Sequence, residues 1–379
     1  MTSRARLLAA ARGEPVDAVP VSPRLGWAVI ARCGENTPIA QLRLRREFHD
    51  FDIHMDVMGN RYPFVDPFAT YRDRPGIRVE MSVTDEGPVR IVDRTIHTPD
   101  GPLHEVFKVP NPGRMEYGLS PNPVRLEHPV KSIEDLDRVA HLLPQPDASP
   151  ADAYRNLEAV LGEDGLVRCC VYGPIDHQAG ELMPPEQMMV HWLTNRPFVE
   201  RLMSMFWRQI MAQTRQLLEA GVRTFFTPWY WHSLSVGWGP RIFREWFLPM
   251  ISELVSLIHA YGGLAFYYDD GKMMGIVPLL VEAGVDVVET CTPPPVGDFD
   301  LERAVRDWGR RITFLGHTDL IYVLQRGSVE DVRRTVERSC AIGRQGRFIL
   351  GTTDGIREGT PLENIEAFFR YGREYGRIA

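Results

Sequence analysis

The chain is poor in cysteine, and what it has does not pair. The five residues Cys33, Cys169, Cys170, Cys291 and Cys340 are odd in number, form no Cys-x-x-Cys, and include two neighbours in one predicted strand. A disulfide framework is excluded, and the pattern fits a reduced, cytoplasmic setting. No apolar run approaches the roughly 20 residues that a membrane helix requires. There is no basic excess: a net charge of −7 argues against a nucleic-acid surface, although a local basic pocket remains compatible with it. Short internal repeats and low-complexity segments are missing too. The opening stretch Met1–Pro15 carries basic residues but too short an apolar core for a secretory signal, and reads as a first amphipathic helix ending at Gly13-Glu14-Pro15.

What is present is an alternation of strand and helix, clearest from Leu264 to Glu289. Leu264–Tyr268 is a short apolar and aromatic run, as a buried parallel strand should be. Asp269-Asp270-Gly271 breaks it, Met274–Ala283 has apolar residues at helical spacing, and Gly284 stands where a helix C-cap glycine belongs. Val285–Glu289 is the next strand. Tyr268, Asp269, Asp270 and Glu289 thus fall at the C-terminal ends of two successive strands, the edge where α/β sheets bind ligands.

The same reading along the 379 residues places strands near 19, 53, 167, 223, 265, 286, 313 and 348. Eight such strands with helices between them argue for an α/β fold, a (β/α)8 TIM barrel; an open doubly wound sheet is the alternative. Between about Ile77 and Val109 the residues alternate apolar and polar, with a Thr98-Pro99-Asp100-Gly101 turn, which predicts an antiparallel β insertion. Pro110–Pro129 is rich in Pro, Asn and Gly and reads as a long loop. Asp300, Ser328 and Thr360 are expected N-caps, the last in a capping box ending at Glu363. All of this reads as a single domain over 1–379.

Three stretches carry a family resemblance: SRARLLAAARGEPVDAVPV from Ser3 to Val21, GPRIFREWFLPMISELVSLIHAYGG from Gly239 to Gly263, and the segment from Gly271 to Gly376 with VEAGVDVVE, ITFLGHTD and GTPLENIEAFFRYGREYG. The ordered set resembles the uroporphyrinogen decarboxylase superfamily, and its methyltransferase-like branch more than true uroporphyrinogen decarboxylase. The resemblance implies a barrel and two chemistries: decarboxylation of uroporphyrinogen's acetate arms without a cofactor, and methyl transfer with corrinoid proteins or folate. Methyl-transferring members bind zinc through His-x-Cys and a later Cys, and cobalamin-independent methionine synthase adds a Glu. Here Tyr268 stands at the His, Asp270 at the first Cys, Glu289 near the Glu, and Thr352 or Thr353 near the last Cys. The decarboxylase's Arg-Gln-Ala-Gly-Arg signature is replaced by Pro23-Arg24-Leu25-Gly26-Trp27. The function implied is a methyltransferase or demethylase of a small methylated or aromatic compound, with a corrinoid-type or thiol partner. A decarboxylase of a carboxylated aromatic or tetrapyrrole, and a non-catalytic binding barrel, are the alternatives.

Candidate site residues follow from strand ends. Asp270, Glu289 and His317 are candidate ligands for Zn²⁺ or a harder divalent cation, against a solvated acidic mouth; Asp319 lies beside them. Asp270, His317, Tyr268 and His177 are candidates for proton transfer. Trp229, Tyr230, Trp231 and His232 are read as lining a planar or apolar pocket, against a lid packed on Phe243–Phe247. Arg24, Tyr172 and Thr353 complete the substrate-binding set; Arg61 and Arg357 are the other basic hints. Cys291 is either a displaced metal thiolate or a buried thiol. A methyl-corrinoid delivered by a corrinoid-binding protein is the expected partner cofactor, with no nucleic acid and no membrane, and assembly as a homodimer is left open.

Overall fold

The computed structural model describes residues 1–48, 51–60, 63–111 and 122–378. Its strands, in chain order, are β1 Ile53–Met58, β2 Arg78–Asp85, β3 Val89–Thr98, β4 Gly101–Pro110, β5 Val124–Glu127, β6 Gly165–Cys170, β7 Thr224–Pro228, β8 Leu264–Tyr268, β9 Val287–Thr290, β10 Thr313–Thr318 and β11 Phe348–Thr352. They form two sheets: a parallel sheet in the order β1-β6-β7-β8-β9-β10-β11, and an antiparallel sheet β2-β3-β4-β5. The chain divides into two compact units, one of residues 1–59, 148–171 and 214–379, the other of residues 60–147 and 172–213.

The first unit holds the parallel sheet. Its strands β6, β7, β8 and β9 are buried along their whole length, as apolar runs covered on both faces must be. The strand expected near residue 19 meets the parallel sheet through a single bridge, Val21 with Leu350, while Ala18 bridges antiparallel to Arg377. Backbone bonds tie that segment to both edges of the sheet: Ser22 N–H donates to the Leu350 carbonyl, and Asp52 N–H donates to the Val21 carbonyl. The first helix, Ser3–Arg12, stops at Gly13 in the left-handed region, as expected. Its Leu7, Ala10 and Ala11 pack on Leu166, Leu264, Phe266, Val287, Leu315 and Ile349. Leu166, Leu264 and Val287 open or nearly open their strands, so this helix covers the N-terminal end of the sheet and leaves the C-terminal end for the strand-end loops.

The second unit holds the meander, paired in register from Arg78–His97 through Asp85–Arg90 and from Val89–Pro110 through Thr98–Gly101. The turn expected at Thr98–Gly101 forms, with the Thr98 hydroxyl donating to the Gly101 carbonyl at 2.7 Å. Val92, Phe107 and Val109 make its apolar core.

Three local expectations change. Val124–Glu127, inside the stretch read as a loop, is a fourth meander strand; the rest of that stretch, 112–121, lies outside the described residues. Thr360 is not a cap: its hydroxyl donates back to the Arg357 carbonyl, and the helix begins at Leu362. The sequence over Pro185–Ala220 reads as one long helical region, and it is two helices, Pro185–Thr194 and Arg196–Glu219. Asp300 caps as expected, and Ser328 does so in a capping box with Asp331.

Candidate active site

Charged residues occur inside strands that are otherwise apolar, and a buried charge has to be paired. Asp56 on β1 and Arg168 on β6 are register partners, so their side chains leave adjacent strands on one face. The guanidinium of Arg168 grips Asp56 through two bonds, of 2.8 and 3.0 Å, and also donates to Glu289 near the end of β9. Arg24 makes longer contacts to the same two acids, 3.4 Å to Asp56 and 3.2 Å to Glu289. Two cations and two anions alternate, so the cluster has no net charge. Arg24 also lies over the rings of Phe226 and Tyr268, at 4.3 and 4.9 Å from their centroids. Burial would lower the Arg24 pKa, but Glu289 and Asp56 outweigh it and hold the guanidinium firmly charged.

Tyr268 connects this cluster to the rim. Burial, then the nearby Asp354 and Asp270 carboxylates, push its phenol far above the ordinary value, and its hydroxyl is hydrogen-bonded to Asp270. The phenol therefore keeps its proton throughout the physiological range. Its partner Asp270 lines a cavity of 260 Å³, bounded also by Gly271, Thr292, Asp319, Thr353, Asp354 and Arg357. These residues follow β8, β9, β10 and β11, so the cavity sits at the C-terminal end of the sheet. Gly271 is required at its turn, with φ of 75° and a Ser235 hydroxyl 2.3 Å from where a Cβ would stand.

The expected ligand set Asp270, Glu289 and His317 does not form, and this corrects the metal reading. Glu289 has its oxygens taken by two guanidiniums, while Asp270 is exposed at the rim. His317 turns its Nδ1 to the Cys291 carbonyl, 3.1 Å away. No group of three His, Cys, Asp or Glu side chains fit to hold a metal occurs among the described residues. The Cys291 thiol is fully buried, bonds the Val288 carbonyl, and burial holds it protonated. A thiolate-bound zinc therefore does not fit these residues.

The aromatic run divides. Trp229 and His232 are buried, their rings tilted at 44° with centroids 4.4 Å apart, and His232 meets Phe247 edge-on at 4.7 Å. Tyr230 and Trp231 remain half-buried, and Trp231 offers its carbonyl to the Trp238 indole. The lid reading thus accounts for two of the four. Thr353 is at the cavity wall, its hydroxyl accepting from Leu320 N–H at 3.4 Å. Tyr172 and His177 belong to the second unit, where their rings meet edge-on at 4.5 Å and His177 faces Glu181 at 3.9 Å. Arg61 lies outside the described residues. Asp56 and Arg168 were missed from the sequence, where the available signal was a charge in the middle of an apolar strand.

Comparison with known proteins matches residues 114–375 to the model of a family described as "Uroporphyrinogen decarboxylase (URO-D)". A methylated-thiol–coenzyme M methyltransferase of Methanosarcina mazei is 30% identical over 132 residues, 35% of this chain and 33% of that protein. The chain thus matches about a third of that relative's length. A uroporphyrinogen decarboxylase of Prochlorococcus marinus is 21% identical over 355 residues, 90% of this chain and 99% of the relative. Among solved structures, a methyltransferase from Methanosarcina mazei superposes with a TM-score of 0.67 at 16% identity, covering 99% of each chain. At that identity the likeness concerns the fold.

Proposed function

Because the chain belongs to the uroporphyrinogen decarboxylase family, we propose that it is an enzyme of the methyltransferase-like kind, removing a methyl group from a small methylated or aromatic compound at the C-terminal mouth of the parallel sheet. The single observation that carries the reading is the cavity beside Asp270. Its 260 Å³ is below the range of roughly 300–1,000 Å³ typical of drug-sized ligands. Asp270, Asp319 and Asp354 line it against one basic residue, Arg357, among the described lining residues. A polycarboxylate tetrapyrrole is both too large for it and repelled by it, whereas a small uncharged or cationic methyl donor is neither. The methyltransferase relative of 30% identity supports the same direction over the third of its length that the chain matches.

In this reading the family barrel is closed by the Pro20–Ser22 segment as its eighth strand, supported by that segment's bonds to both sheet edges. The methyl acceptor is a corrinoid carried by a partner protein, and it supplies the nucleophile when bound. The chain's own residues bind and orient the donor. The Tyr268 phenol, kept protonated, turns its hydrogen bond from Asp270 to the departing heteroatom, where negative charge develops as the bond to methyl breaks. Asp270 holds that phenol by its hydrogen bond, the Asp354 charge helps keep it protonated, and Arg24 lies over the ring. Methyl thioethers, methylamines and methoxybenzenes should be incubated with the protein and cob(I)alamin. The reading predicts methylcobalamin and the demethylated product with at least one class. Carbon dioxide released from an aromatic carboxylate, with no methyl transfer, would overturn it.

A further inference from the structure

A second cavity, of 500 Å³, lies beside the first and shares Asp319 with it. It is bounded by the ends of β9 and β10 and the helices Leu301–Trp308 and Val329–Gly343. The backbone at its floor is unusual. Thr290, Cys291 and His317 have φ of 73°, 45° and 80°, and Gly316 has 132°. Side-chain-bearing residues adopt such angles only at a cost, and sites that over-determine geometry retain them. Gly316 is forced, because a Cβ there would stand 2.2 Å from the Thr290 carbonyl oxygen. The strain places His317 so that its Nδ1 meets the Cys291 carbonyl. A carbonyl only accepts, so Nδ1 carries the proton and Nε2 keeps its lone pair. Burial, partly offset by that carbonyl, lowers the His317 pKa to about 4, so the ring is neutral near pH 7.

The cavity holds a second acceptor. Asp319 is only 3% exposed. Its Oδ1 caps the following turn through Ile321 and Tyr322 N–H, both at 2.7 Å, while its Oδ2 accepts no hydrogen bond from the described residues. A buried carboxylate oxygen without a donor is costly, and an arriving donor relieves that cost. Asp300 and Glu302 add negative charge at the rim, and Arg338, the one guanidinium among the described lining residues, is 3.8 Å from Glu302. Pro293, Phe299, Leu301, Tyr322 and Ile342 supply apolar wall. We propose that this cavity is a binding site for a primary ammonium carried on an apolar body, its N–H groups donating to His317 Nε2 and Asp319 Oδ2. A neutral imidazole and a carboxylate are both acceptors, so they select a donor-only head group, and the acidic rim selects a cation over an alcohol. The assignment does not rest on the methyltransferase reading.

Calorimetric titration of the full chain with phenethylamine, phenethyl alcohol and phenylacetate tests it. Phenethylamine should bind at least tenfold more tightly than the other two. Asn is a suitable replacement at both positions, since it tolerates positive φ and retains capping. His317→Asn and Asp319→Asn should each weaken the amine tenfold or more, with near-ultraviolet circular dichroism of wild-type form. Asp270→Asn, in the neighbouring cavity, should leave the affinity unchanged. Equal binding of all three compounds, undiminished amine binding in the folded His317→Asn variant, or loss of binding in Asp270→Asn would each overturn the assignment.

Discussion

Each of the two units contains a cluster of two arginines with two carboxylates, and the two clusters differ in how they are sealed. In the second unit Arg94 and Arg125 share Glu105, and Arg125 also holds Glu181. The side chains of Arg94, Arg125 and Glu105 are 0%, 3% and 2% exposed. Arg94 spends its remaining donors on the carbonyls of Asp66, Pro67 and Ala69, and both guanidiniums stack on Phe107. In the first unit Arg168 is equally buried, but Arg24 and Asp56 keep 22% and 20% of their side-chain surface and meet at 3.4 Å. The Arg94–Glu105–Arg125 joint is closed, its solvent contact confined to the outlying Glu181 at 17%. The first-unit cluster is closed on one side and open on the other, toward Tyr268 and the rim acids. A paired charge that retains solvent access can exchange partners with an arriving ligand; a sealed one cannot do so without unfolding its surroundings.

The difference predicts a graded series of stability losses. Glu105→Gln should cost the most, about 3–5 kcal/mol, because it leaves Arg94 with no carboxylate partner in a dry interior, while Arg125 keeps Glu181; urea denaturation measures it. Glu289→Gln should cost less, about 1–3 kcal/mol, since Asp56 still neutralises Arg168 and Arg24. Glu289 as a free site acid would have cost nothing on removal, so its pairing with two arginines reverses the expectation drawn from its strand-end position alone. Equal losses in the two variants would erase the distinction between the clusters.

A smaller effect comes from His317. Its folded pKa of about 4 lies below the ordinary 6.5, so between those values the unfolded chain binds a proton that the folded chain refuses. Stability should be flat above pH 6.5 and fall as the pH drops toward 4. His54, lowered by burial and then by Arg168 and Arg24, and His128, lowered to about 4 by burial and then Arg125, act in the same direction. The readout is therefore the difference between wild type and His317→Asn, which should show a shallower acid slope by one proton. The smallest stability effect belongs to Asp270→Asn, within about 0.5 kcal/mol because the residue is exposed, yet its turnover should fall a hundredfold or more.

How much of this was legible depended on range. Leu264–Tyr268, the Ser3–Arg12 helix and the meander are written locally, in apolar period, turn residues and caps, and they formed as read. The strand near residue 19 was legible as a segment but not as a single bridge. The Arg24–Asp56–Arg168–Glu289 cluster was not legible, because it joins positions as far apart as 265 residues through side-chain geometry alone. His317 and Asp319 were recognised as strand-end residues, but no spacing rule shows that positive φ turns His317 into a second cavity. The three strand-end acids Asp270, Asp319 and Asp354 do line one cavity, which follows from strand order once the parallel sheet is known.

The central claim is that the Tyr268 phenol beside Asp270 serves the departing group at the mouth of the parallel sheet. Tyr268→Phe removes one oxygen and keeps the ring under Arg24. Single-turnover methyl transfer to cob(I)alamin, followed by the absorbance of methylcobalamin, should slow by a hundredfold or more, with substrate affinity and melting temperature close to wild type. Wild-type transfer rates in this variant would contradict the account.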